Sequence, residues 1–434
     1  MAEKFHAIIV GAGPAGCSAA YHLAAEGLRV LVVERGEYPG SKNTSGALLH
    51  THGLYDLFPD FPGDAPVERF VIDRKIALLT PESSLTIDFK DQHFANPPYN
   101  GFTVLRSKFD QWLAQKAEDA GALIMTNAQV DDLIKDGAKV VGVRTRQDDG
   151  EVRADVVIIA EGANSVLAEK AGLRSELPPD EMAVAAKEII KLSRETINER
   201  FNLKGDEGAS VHYIGACTKG IPGGGFIYTN KDSLSLGLVC RLSGLMERKL
   251  KVSDLVEEFK AHPHVHALIK DGKTREYSGH MIPEGGYKQM SRLFSAGALV
   301  VGEAASLNFN NGFILRGMDY AMASGIAAAR AVLKAHKKTD FSENGLSAYQ
   351  EELEASFVLK DMMRFRKLPD VLSNPRIYET YPNLVCGLGR EMFEVDGTEQ
   401  RRMAAIIWEA MRKQGADAGM LTIIKDILQL GLRL

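Results

Sequence analysis

The chain has 434 residues, 45% of them hydrophobic and 25% charged, a composition typical of a globular protein with room for two or three domains. Its formal net charge of -5 and its lack of a Lys/Arg run argue against nucleic acid as a partner. Its four cysteines show no CxxC or metal-ligand spacing, so we expect no metal site and no iron–sulfur cluster within this chain.

The N-terminal segment runs directly into an apolar stretch, without the basic region, long apolar core and cleavage site of a secretory signal. Every apolar stretch of the sequence is shorter than the roughly 20 residues that a membrane-spanning helix needs. We therefore expect a cytoplasmic chain whose contact with a membrane, where it occurs, is peripheral.

Residues 7–34 form the most specific pattern: an apolar strand, a glycine-rich turn, an Ala-rich helix and a second strand. Gly11, Gly13 and Gly16 have GxGxxG spacing, which allows a tight turn, close approach of a pyrophosphate, and close packing of helix on strand, respectively. Glu34 ends the second strand, where a carboxylate can accept hydrogen bonds from ribose hydroxyls. Isolated glycines would indicate only turns, but the complete pattern predicts a dinucleotide-binding βαβ unit.

The segments that follow alternate between loop, strand and helix. Residues 35–50 are rich in Gly, Ser and Asn and indicate a loop that returns toward the cofactor, with Lys42, Asn43 and Ser45 either as polar contacts or as solvated side chains. Residues 70–95 alternate as antiparallel strands do, which indicates an inserted sheet domain. A helix follows, and Arg106 at its start is a candidate phosphate contact.

Strand patterns resume over residues 122–160, with a polar hairpin turn at 148–150, and end at Glu161-Gly162. Residues 182–280 again favour antiparallel strands, with a helical pattern near 253–270, and form the second part of the inserted domain. A later strand ends at Gly302-Glu303 and leads to an Ala-rich helix over 318–336. Residues 341–434 are mostly helical by pattern.

Three separated segments are thus candidate contacts of one long cofactor: the first βαβ unit, Arg106 and Gly302-Glu303. This arrangement resembles the FAD-binding fold of the para-hydroxybenzoate hydroxylase and glutathione reductase superfamily, in which a Gly-Asp pair holds the ribitol of FAD. Here Glu303 is one methylene longer, and Glu161-Gly162 stands where the superfamily has an Asp-Gly pair. The resemblance implies an α/β (α+β) fold with a Rossmann-like FAD-binding domain, an inserted antiparallel-sheet substrate domain and a helical C-terminal region.

The resemblance becomes narrower in five longer segments, which are SKNTSGALL, GGGFIYTNKDSLSLGLV, IPEGGYKQM, GFILRGMDYAMASG and FVLKDMMRFRKLPDVLSNPRIYETYP. Together they are similar to FixC-type proteins of the electron-transfer flavoprotein:quinone oxidoreductase family, over essentially the whole chain. This resemblance implies that FAD accepts electrons from an electron-transfer flavoprotein and passes them to a quinone, either menaquinone or ubiquinone. It also implies a peripheral position on the inner face of the cell membrane.

The same resemblance implies two protein partners. Eukaryotic relatives carry a four-cysteine cluster in the C-terminal region, where this chain has only Cys386. FixC-type proteins instead work with a small ferredoxin-like iron–sulfur subunit and with a two-subunit electron-transfer flavoprotein that bifurcates electrons from NADH. Two other hypotheses stay open: a geranylgeranyl-reductase-like enzyme that saturates a prenyl chain, and an assembly scaffold in which FAD is structural.

The predicted domains are discontinuous. The FAD-binding domain takes residues 1–70, 101–180 and 281–340, the substrate or quinone domain takes 71–100 and 181–280, and the helical C-terminal region takes 341–434. Because the chemistry would rest on the flavin, we assign no catalytic acid or base and no metal ligand. The predicted FAD contacts are Gly11, Gly13, Pro14, Ala15, Gly16, Glu34, Arg35, Lys42, Ser45, Gly46, Arg106, Val130, Glu161, Gly162, Gly302, Glu303, Gly312, Phe313 and Ile314.

Two of the predicted sites have structural alternatives. Residues 312–314 would lie near the isoalloxazine ring, with the next helix directing its positive end at the reduced flavin; otherwise they are a plain loop before a helix whose Asp319 faces solvent. Arg316 adds charge there or pairs with a carboxylate. The predicted quinone slot combines flexible backbone with an aromatic rim, although strand-end turns explain the same residues. Its residues are Gly224, Gly225, Phe226 and Gly286.

The C-terminal tail has an amphipathic helical pattern from Met420 onward. Ile423, Ile424, Ile427 and Leu428 fall with Met420 on one stripe. Such a stripe packs on the protein core, on a partner or on a membrane surface, and the sequence leaves these three open.

Overall fold

The computed structural model describes residues 4–42, 47–146, 150–418 and 420–433. The strands are β1 (Phe5–Val10), β2 (Val30–Val33), β3 (Ala47–His50), β4 (Val67–Leu79), β5 (Ser84–Lys90), β6 (Gly101–Val104), β7 (Leu123–Met125), β8 (Val130–Asp136), β9 (Lys139–Thr145), β10 (Glu151–Ile159), β11 (Met182–Lys191), β12 (Glu207–Gly215), β13 (Gly223–Thr229), β14 (Ser233–Arg241), β15 (Lys273–Pro283), β16 (Phe294–Ser295), β17 (Ala298–Val300), β18 (Phe309–Asn310) and β19 (Leu315–Arg316).

The helices surround two sheets and make up most of the C-terminal region. They are α1 (Pro14–Ala25), α2 (His52–Leu57), α3 (Arg106–Asp119), α4 (Val166–Lys170), α5 (Arg194–Phe201), α6 (Leu242–Arg248), α7 (Val252–Ala261), α8 (Pro263–Ile269), α9 (Met318–Lys338), α10 (Glu343–Leu346), α11 (Ala348–Ala355), α12 (Phe357–Arg364), α13 (Leu368–Leu372), α14 (Thr380–Phe393), α15 (Met403–Ala418) and α16 (Met420–Arg433).

The first sheet has the order β16-β17-β10-β1-β2-β7. Strands β17, β10, β1, β2 and β7 pair in parallel, while β9 joins β10 in antiparallel fashion and carries β8. The strand β2 (VLVV) is buried throughout and the end of β10 is an apolar buried run, which is typical of a parallel sheet covered on both faces. The carboxyl ends of β1, β10 and β17 therefore lie side by side at one edge of this sheet.

Helix α1 is held against the sheet and against α9 by two glycines without room for a side chain. A Cβ at Gly16 would lie 2.0 Å from the carbonyl oxygen of Gly11, and a Cβ at Gly325 of α9 would lie 2.1 Å from that of Ala15. Both distances are far below van der Waals contact. A larger residue at Gly16 would therefore push α1 away from the glycine-rich turn, and one at Gly325 would push α9 away from α1. This close packing fixes the position of the N-terminus of α1 relative to the glycine-rich turn.

The second sheet has the order β15-β11-β14-β13-β12-β4-β6-β3, with β5 paired to β4. Its neighbours are antiparallel except for β12 and β4. It has a separate apolar core, in which Leu255, Val256 and Phe259 of α7 are buried against the strands. The two sheets thus form two layers with two hydrophobic cores, and Leu49, Phe102 and Val104 of β3 and β6 in the second sheet pack in the first core.

The C-terminal helices pack on both layers. The hydroxyl of Tyr349 in α11 donates to the carbonyl oxygen of Val300 at 2.9 Å and ties this helix to β17. Asp426 of α16 accepts hydrogen bonds from Asn374 at 2.9 Å and Arg376 at 2.6 Å, and also from Tyr381. These contacts hold the last helix against the segment before α14.

The predicted architecture is confirmed: a Rossmann-like FAD-binding domain, an antiparallel-sheet domain and a helical C-terminal region. The strands β3 and β6, which lie in ranges predicted for the FAD-binding domain, hydrogen-bond within the second sheet, and the domain ranges stay a prediction. Cys17 is buried in the core, with its thiol 3.3 Å from the carbonyl oxygen of Ala12. Of the hairpin turn predicted at 148–150, residues 148 and 149 lie outside the described residues.

Candidate functional site

A cavity of about 950 Å³ extends from the glycine-rich turn of the first sheet to the face of the second sheet. One end is lined by the turn after β1 and by Glu34 and Arg35, and the other end by the first residues of β13. Its middle is lined by residues after β17 and before α9. One continuous space therefore connects the predicted dinucleotide site with the predicted quinone site.

The glycine-rich turn has the geometry of a phosphate cradle. Gly11 has φ +107°, which side chains rarely allow, and Pro14 begins α1. A Cβ at Gly13 would meet no atom within 4 Å, so the backbone at Gly13 faces open space in the cavity. The N–H groups at the start of α1 and its positive dipole end lie beside this space, where an anionic pyrophosphate is stabilised.

Glu34 is oriented by two backbone amides. Its Oε2 accepts a hydrogen bond from the N–H of Ala12 at 2.9 Å and its Oε1 accepts one from Gly36 at 2.7 Å. These bonds connect the end of β2 to the glycine-rich turn and aim the carboxylate along the cavity wall. A ribose with free hydroxyls can donate to the remaining lone pairs of the carboxylate, whereas a phosphate there would be repelled.

Charged side chains meet at the middle of the cavity. Arg106, the first residue of α3, forms a two-point ion pair with Asp110, with N–O distances of 2.8 and 2.7 Å. Glu303 lies 3.2 Å from the ring nitrogen Nε2 of His280. Burial raises the pKa of Glu303, but His280, Arg106 and Lys187 more than offset this, so its pKa is lowered and the group is an anion.

Lys187 contributes a cation from the second sheet. It projects from β11 into the cavity wall, and its Nζ lies 5.4 Å from the centre of the Phe226 ring. Burial, and then the charge of Arg106, lower the pKa of Lys187 to about 7, although Glu303 acts in the opposite direction. Lys187 thus adds to the wall of the cavity an amine that can hold or release a proton near neutral pH.

The segment before α9 directs a helix N-terminus at the cavity. Gly317 and Met318 line it, and Arg316 pairs with Asp319 at 2.6 Å and with Asp361 at 3.1 Å. Arg316 thus pairs with carboxylates, and Asp319, which is 2% exposed, does not face solvent. The positive end of α9 therefore meets the cavity with its nearby arginine charge balanced by two carboxylates.

Most of the predicted cofactor contacts line this one cavity. Gly16, Phe313 and Ile314 do not, and Phe313 is 51% exposed. Ser45, Gly46 and Asn43 lie outside the described residues. The predicted residues that line it are Gly11, Gly13, Pro14, Ala15, Glu34, Arg35, Lys42, Arg106, Val130, Glu161, Gly162, Gly302, Glu303, Gly312, Gly224, Gly225, Phe226 and Gly286.

Glu161 lines the cavity, but its carboxylate already has a structural role. Its Oε1 accepts hydrogen bonds from the N–H groups of Leu167 at 2.7 Å and Ala168 at 3.2 Å, at the start of α4. Burial raises its pKa, although these amide bonds act against the rise. This residue therefore shapes the loop around the cofactor space as a helix cap.

The predicted quinone slot is formed by the start of β13. A Cβ at Gly224 would lie 2.6 Å from the carbonyl oxygen of Tyr213, and a Cβ at Gly225 would lie 2.7 Å from the ring of Phe259. Close packing within the second sheet thus explains both glycines. The stacked rings of Phe226 and Tyr228, with centres 4.9 Å apart, leave an apolar wall that suits a flat ring.

Sequence reasoning missed four further residues that line the cavity: Lys187, Arg241, Glu284 and Tyr378. Lys187 interrupts the apolar run AVAAKEII, and a charged residue inside a buried strand was an available signal. Glu284 lies within IPEGGYKQM, a segment that already indicated the family. Tyr378 reaches the cavity only through tertiary packing of the C-terminal region, for which the local sequence has no signal.

Two sequence families match this chain. The family described as FAD dependent oxidoreductase matches residues 7–217, and the ETF-QO/FixC family C-terminal domain matches residues 368–432. Protein FixC of Escherichia coli (strain K12) is 44% identical over 425 residues, which cover 98% of this chain and 97% of that protein. The probable electron transfer flavoprotein-quinone oxidoreductase YdiS of the same strain is 44% identical over 424 residues, with 98% and 97% coverage.

Solved structures share the fold. A geranylgeranyl bacteriochlorophyll reductase-like protein from Thermoplasma acidophilum superposes with a TM-score of 0.74 at 21% identity, over 99% of this chain and 100% of that chain. The flavin-dependent brominase Bmp2 superposes with a TM-score of 0.63 at 19% identity, over 95% of this chain and 100% of that chain. At these identities the likeness concerns the fold alone.

The chain is an FAD-dependent oxidoreductase, as its fold, its glycine-rich cradle and the matching family agree. The open space at Gly13 and the length of the cavity fit this dinucleotide. Within that class, the 44% identity to FixC and YdiS over 98% of the chain identifies the family. The chain belongs to the ETF-QO/FixC family.

Proposed function

We propose that this chain accepts electrons from a two-subunit electron-transfer flavoprotein and passes them through FAD to a membrane quinone, menaquinone or ubiquinone. The observation that carries the proposal is the continuous cavity, which joins the FAD cradle to an aromatic-walled chamber on the second sheet. A relative with 44% identity is named a probable electron transfer flavoprotein-quinone oxidoreductase. When bound, FAD supplies the electron-transfer chemistry of the reaction.

The residues of the chain would bind the cofactor, orient it and stabilise the charge on its reduced ring. The N-terminus of α1 and Gly13 would hold the pyrophosphate, Glu34 would hold the ribose, and Glu303 with Arg106 would flank the ribitol. The positive end of α9 would stabilise negative charge on the reduced ring. The wall formed by Phe226 and Tyr228 would exclude water and accept the quinone ring.

We propose that the immediate electron donor is fed by NADH in a bifurcating complex, and that a small ferredoxin-like subunit carries an iron–sulfur cluster. In support, Cys17, Cys217, Cys240 and Cys386 are all buried and free. Among the described residues, no group of three or more His, Cys, Asp and Glu side chains could hold a metal ion. A cluster serving this chain would therefore need another subunit to supply its thiolates.

We propose a peripheral membrane position through α16. Within the described residues, every helix is too short or too polar to cross a bilayer. On α16, Leu421 is 84%, Leu428 is 58% and Leu432 is 81% exposed. These apolar side chains would enter the outer part of the lipid layer and bring the cavity close to a lipid-soluble quinone.

The test is stopped-flow absorbance of the FAD-loaded protein, reduced anaerobically and mixed with a soluble menaquinone or ubiquinone analogue. The expected result is rapid flavin oxidation whose rate saturates with quinone concentration. Oxidation no faster than that of free reduced FAD would contradict the proposal and favour the geranylgeranyl-reductase-like alternative. A protein whose flavin undergoes no redox change with any donor or acceptor would instead fit the scaffold hypothesis.

A further inference from the structure

A half-buried acid lies at the end of the cavity where the quinone slot is predicted. Glu284 follows β15, lines the cavity, and has a side chain only 19% exposed. Its Oε2 lies 3.9 Å from Nε of Arg241, too far for a hydrogen bond. Among the described residues, no group donates a hydrogen bond to its carboxylate, and such a carboxylate is costly to bury as an anion.

The backbone that carries Glu284 is fixed. Its N–H donates to the carbonyl oxygen of Glu181 at 2.8 Å, and the next N–H, that of Gly285, donates to Oε1 of Gln289 at 2.7 Å. The opposing cation is fixed as well, because Nη1 of Arg241 donates to Oγ of Ser373 at 2.7 Å. The acid and the cation are therefore held in place on opposite sides of a short gap.

The charged and titratable groups around Glu284 come from β14 and from the C-terminal region. Arg241 of β14 stabilises the anionic form of Glu284. Burial raises the pKa of Cys240, also in β14, and of Tyr378 in the C-terminal region, and Glu284 in turn adds to both shifts. Tyr378 also interacts with the N–H of Gly223, the first residue of β13. Glu284 is thus part of the same cavity wall as the predicted quinone slot.

Burial raises the pKa of Glu284 to about 7, against the opposing effect of Arg241. A carboxyl group with this pKa is protonated in a large fraction of molecules at neutral pH and can return its proton readily. When it does so, the guanidinium of Arg241 stabilises the carboxylate that forms. The 3.9 Å gap to Arg241 and the pKa near neutral are expected of a group that donates a proton, rather than of a structural ion pair.

We propose that Glu284 is a general acid that donates a proton to the quinone bound at the β13 end of the cavity, an inference that rests on the proposed function. Reduction of a quinone to a quinol adds two electrons and two protons. The bound, reduced cofactor would supply the two electrons and one proton. Glu284 would supply the second proton to a quinone oxygen, and a proton from solvent water would then restore the carboxyl group.

The experiment compares two electron acceptors with the reduced, FAD-loaded protein. A soluble ubiquinone analogue needs protons for its reduction, whereas ferricenium takes one electron and no proton. For Glu284→Gln we expect quinone reduction to slow by at least about tenfold, with ferricenium reduction unchanged. Glu176→Gln, an exposed control on the loop before β11, should leave both rates unchanged.

The pH dependence gives a second readout. Because Glu284 loses its proton above about pH 7, the wild-type quinone rate should fall as the pH rises through this value, and Glu284→Gln should lose that fall. Difference infrared spectroscopy of the oxidised protein should show a protonated carboxyl band that titrates near pH 7 and is missing from Glu284→Gln. Glu284→Asp should recover part of the rate.

The outcomes separate this inference from the proposed function. If wild-type protein reduces ferricenium but not the quinone, the proposed function fails and the inference with it. If wild-type protein reduces the quinone and Glu284→Gln does so at the same rate with the same pH profile, only the general acid is overturned. Equal slowing with both acceptors would also overturn it, because a proton donor cannot limit ferricenium reduction.

Discussion

Glu34 has a structural role in the glycine-rich turn as well as its predicted role in binding the cofactor. Its two carboxylate oxygens accept from the amides of Ala12 and Gly36, so it joins the end of β2 to the glycine-rich turn. From the sequence, this residue was predicted as a ribose contact. The structure shows a second role, because the carboxylate also accepts a hydrogen bond from the N–H of Ala12. Removal of the carboxylate would therefore leave this amide of the turn without its partner.

Glu34→Arg should therefore lower FAD affinity by at least about tenfold, through lost hydrogen bonds and added bulk. The measurement is flavin occupancy of the purified protein, followed by titration of the apoprotein with FAD. Glu37→Arg makes the same change of charge at an exposed position three residues later and should keep full occupancy. Equal occupancy in the two variants would remove Glu34 from the cofactor site.

Gly13 and Gly16 belong to one motif but differ in what they face. A side chain at Gly13 would enter open cavity, whereas one at Gly16 would strike the carbonyl oxygen of Gly11. Gly13→Val should thus leave the free energy of unfolding of the apoprotein within about 1 kcal/mol of wild type while abolishing FAD binding. Gly16→Val should destabilise the apoprotein by at least about 2 kcal/mol.

Urea denaturation of the two apoproteins, together with FAD titration, checks this pair. The expected separation of stability from binding depends on the direction of each missing Cβ, which the GxGxxG spacing alone does not reveal. Similar destabilisation by both substitutions would show that the turn at Gly13 is filled by the protein rather than by cofactor.

At the scale of elements, the sequence predicted those with strong local patterns. The first βαβ unit, the β4–β5 hairpin and helix α9 are present as predicted. The sequence could not predict which elements meet across the cavity, because Arg241, Glu284 and Tyr378 come from three distant segments. The apolar stripe predicted on the C-terminal helix is only partly buried, since Ile423 is buried while Ile424 and Leu428 are exposed. The side chains of Met420 and Ile427 lie outside the described part of the structure.

Helix α16 is anchored by one carboxylate. Hydrogen bonds from Arg376, Tyr381 and Asn374 lower the pKa of Asp426 to about 2, while burial acts in the opposite direction. Because the pKa in the folded state is lower than its ordinary value of 3.8, this contribution to docking is present above about pH 4. It is lost as the pH falls from there through about 2.

Asp426→Asn should weaken the docking of α16 by about 1–2 kcal/mol at neutral pH. Limited proteolysis, read by mass spectrometry of the C-terminal fragments, should show faster cleavage around α16 than in wild type. Asp370→Asn breaks an exposed ion pair with Lys288, and the protease should cleave this control variant at the same rate as wild type. Unchanged cleavage in Asp426→Asn would mean that apolar packing alone holds the helix.

At the scale of the whole molecule, the two sheets line different ends of one cavity. The first sheet offers the edge where three parallel strands end, which suits a dinucleotide. The second sheet offers a wall of aromatic and ionisable side chains. The exposed leucines of α16 form a third surface, and this surface is the membrane contact that we propose.

Replacement of Leu421 and Leu428 by Ser should reduce binding to lipid vesicles by at least about tenfold. The reason is that serine gains little free energy on transfer from water to lipid, whereas leucine gains much more. Vesicle flotation measures the bound fraction, and high salt should not release the wild type, since the contact is apolar. Met246→Ser removes an exposed apolar side chain from α6 and should bind like wild type. Equal binding of all three proteins would exclude α16 as the membrane contact.

The close packing of Gly325 against Ala15 also bears on how the protein is made. The ribosome releases the glycine-rich turn early, but α9 and the partner strand β17 leave it only after the entire second sheet has been translated. Such distant pairing is slow to form, and the packing of α1 is incomplete until α9 has been made. We therefore expect flavin loading to follow synthesis of most of the chain, so that a ribosome-bound fragment ending before α9 carries no cofactor.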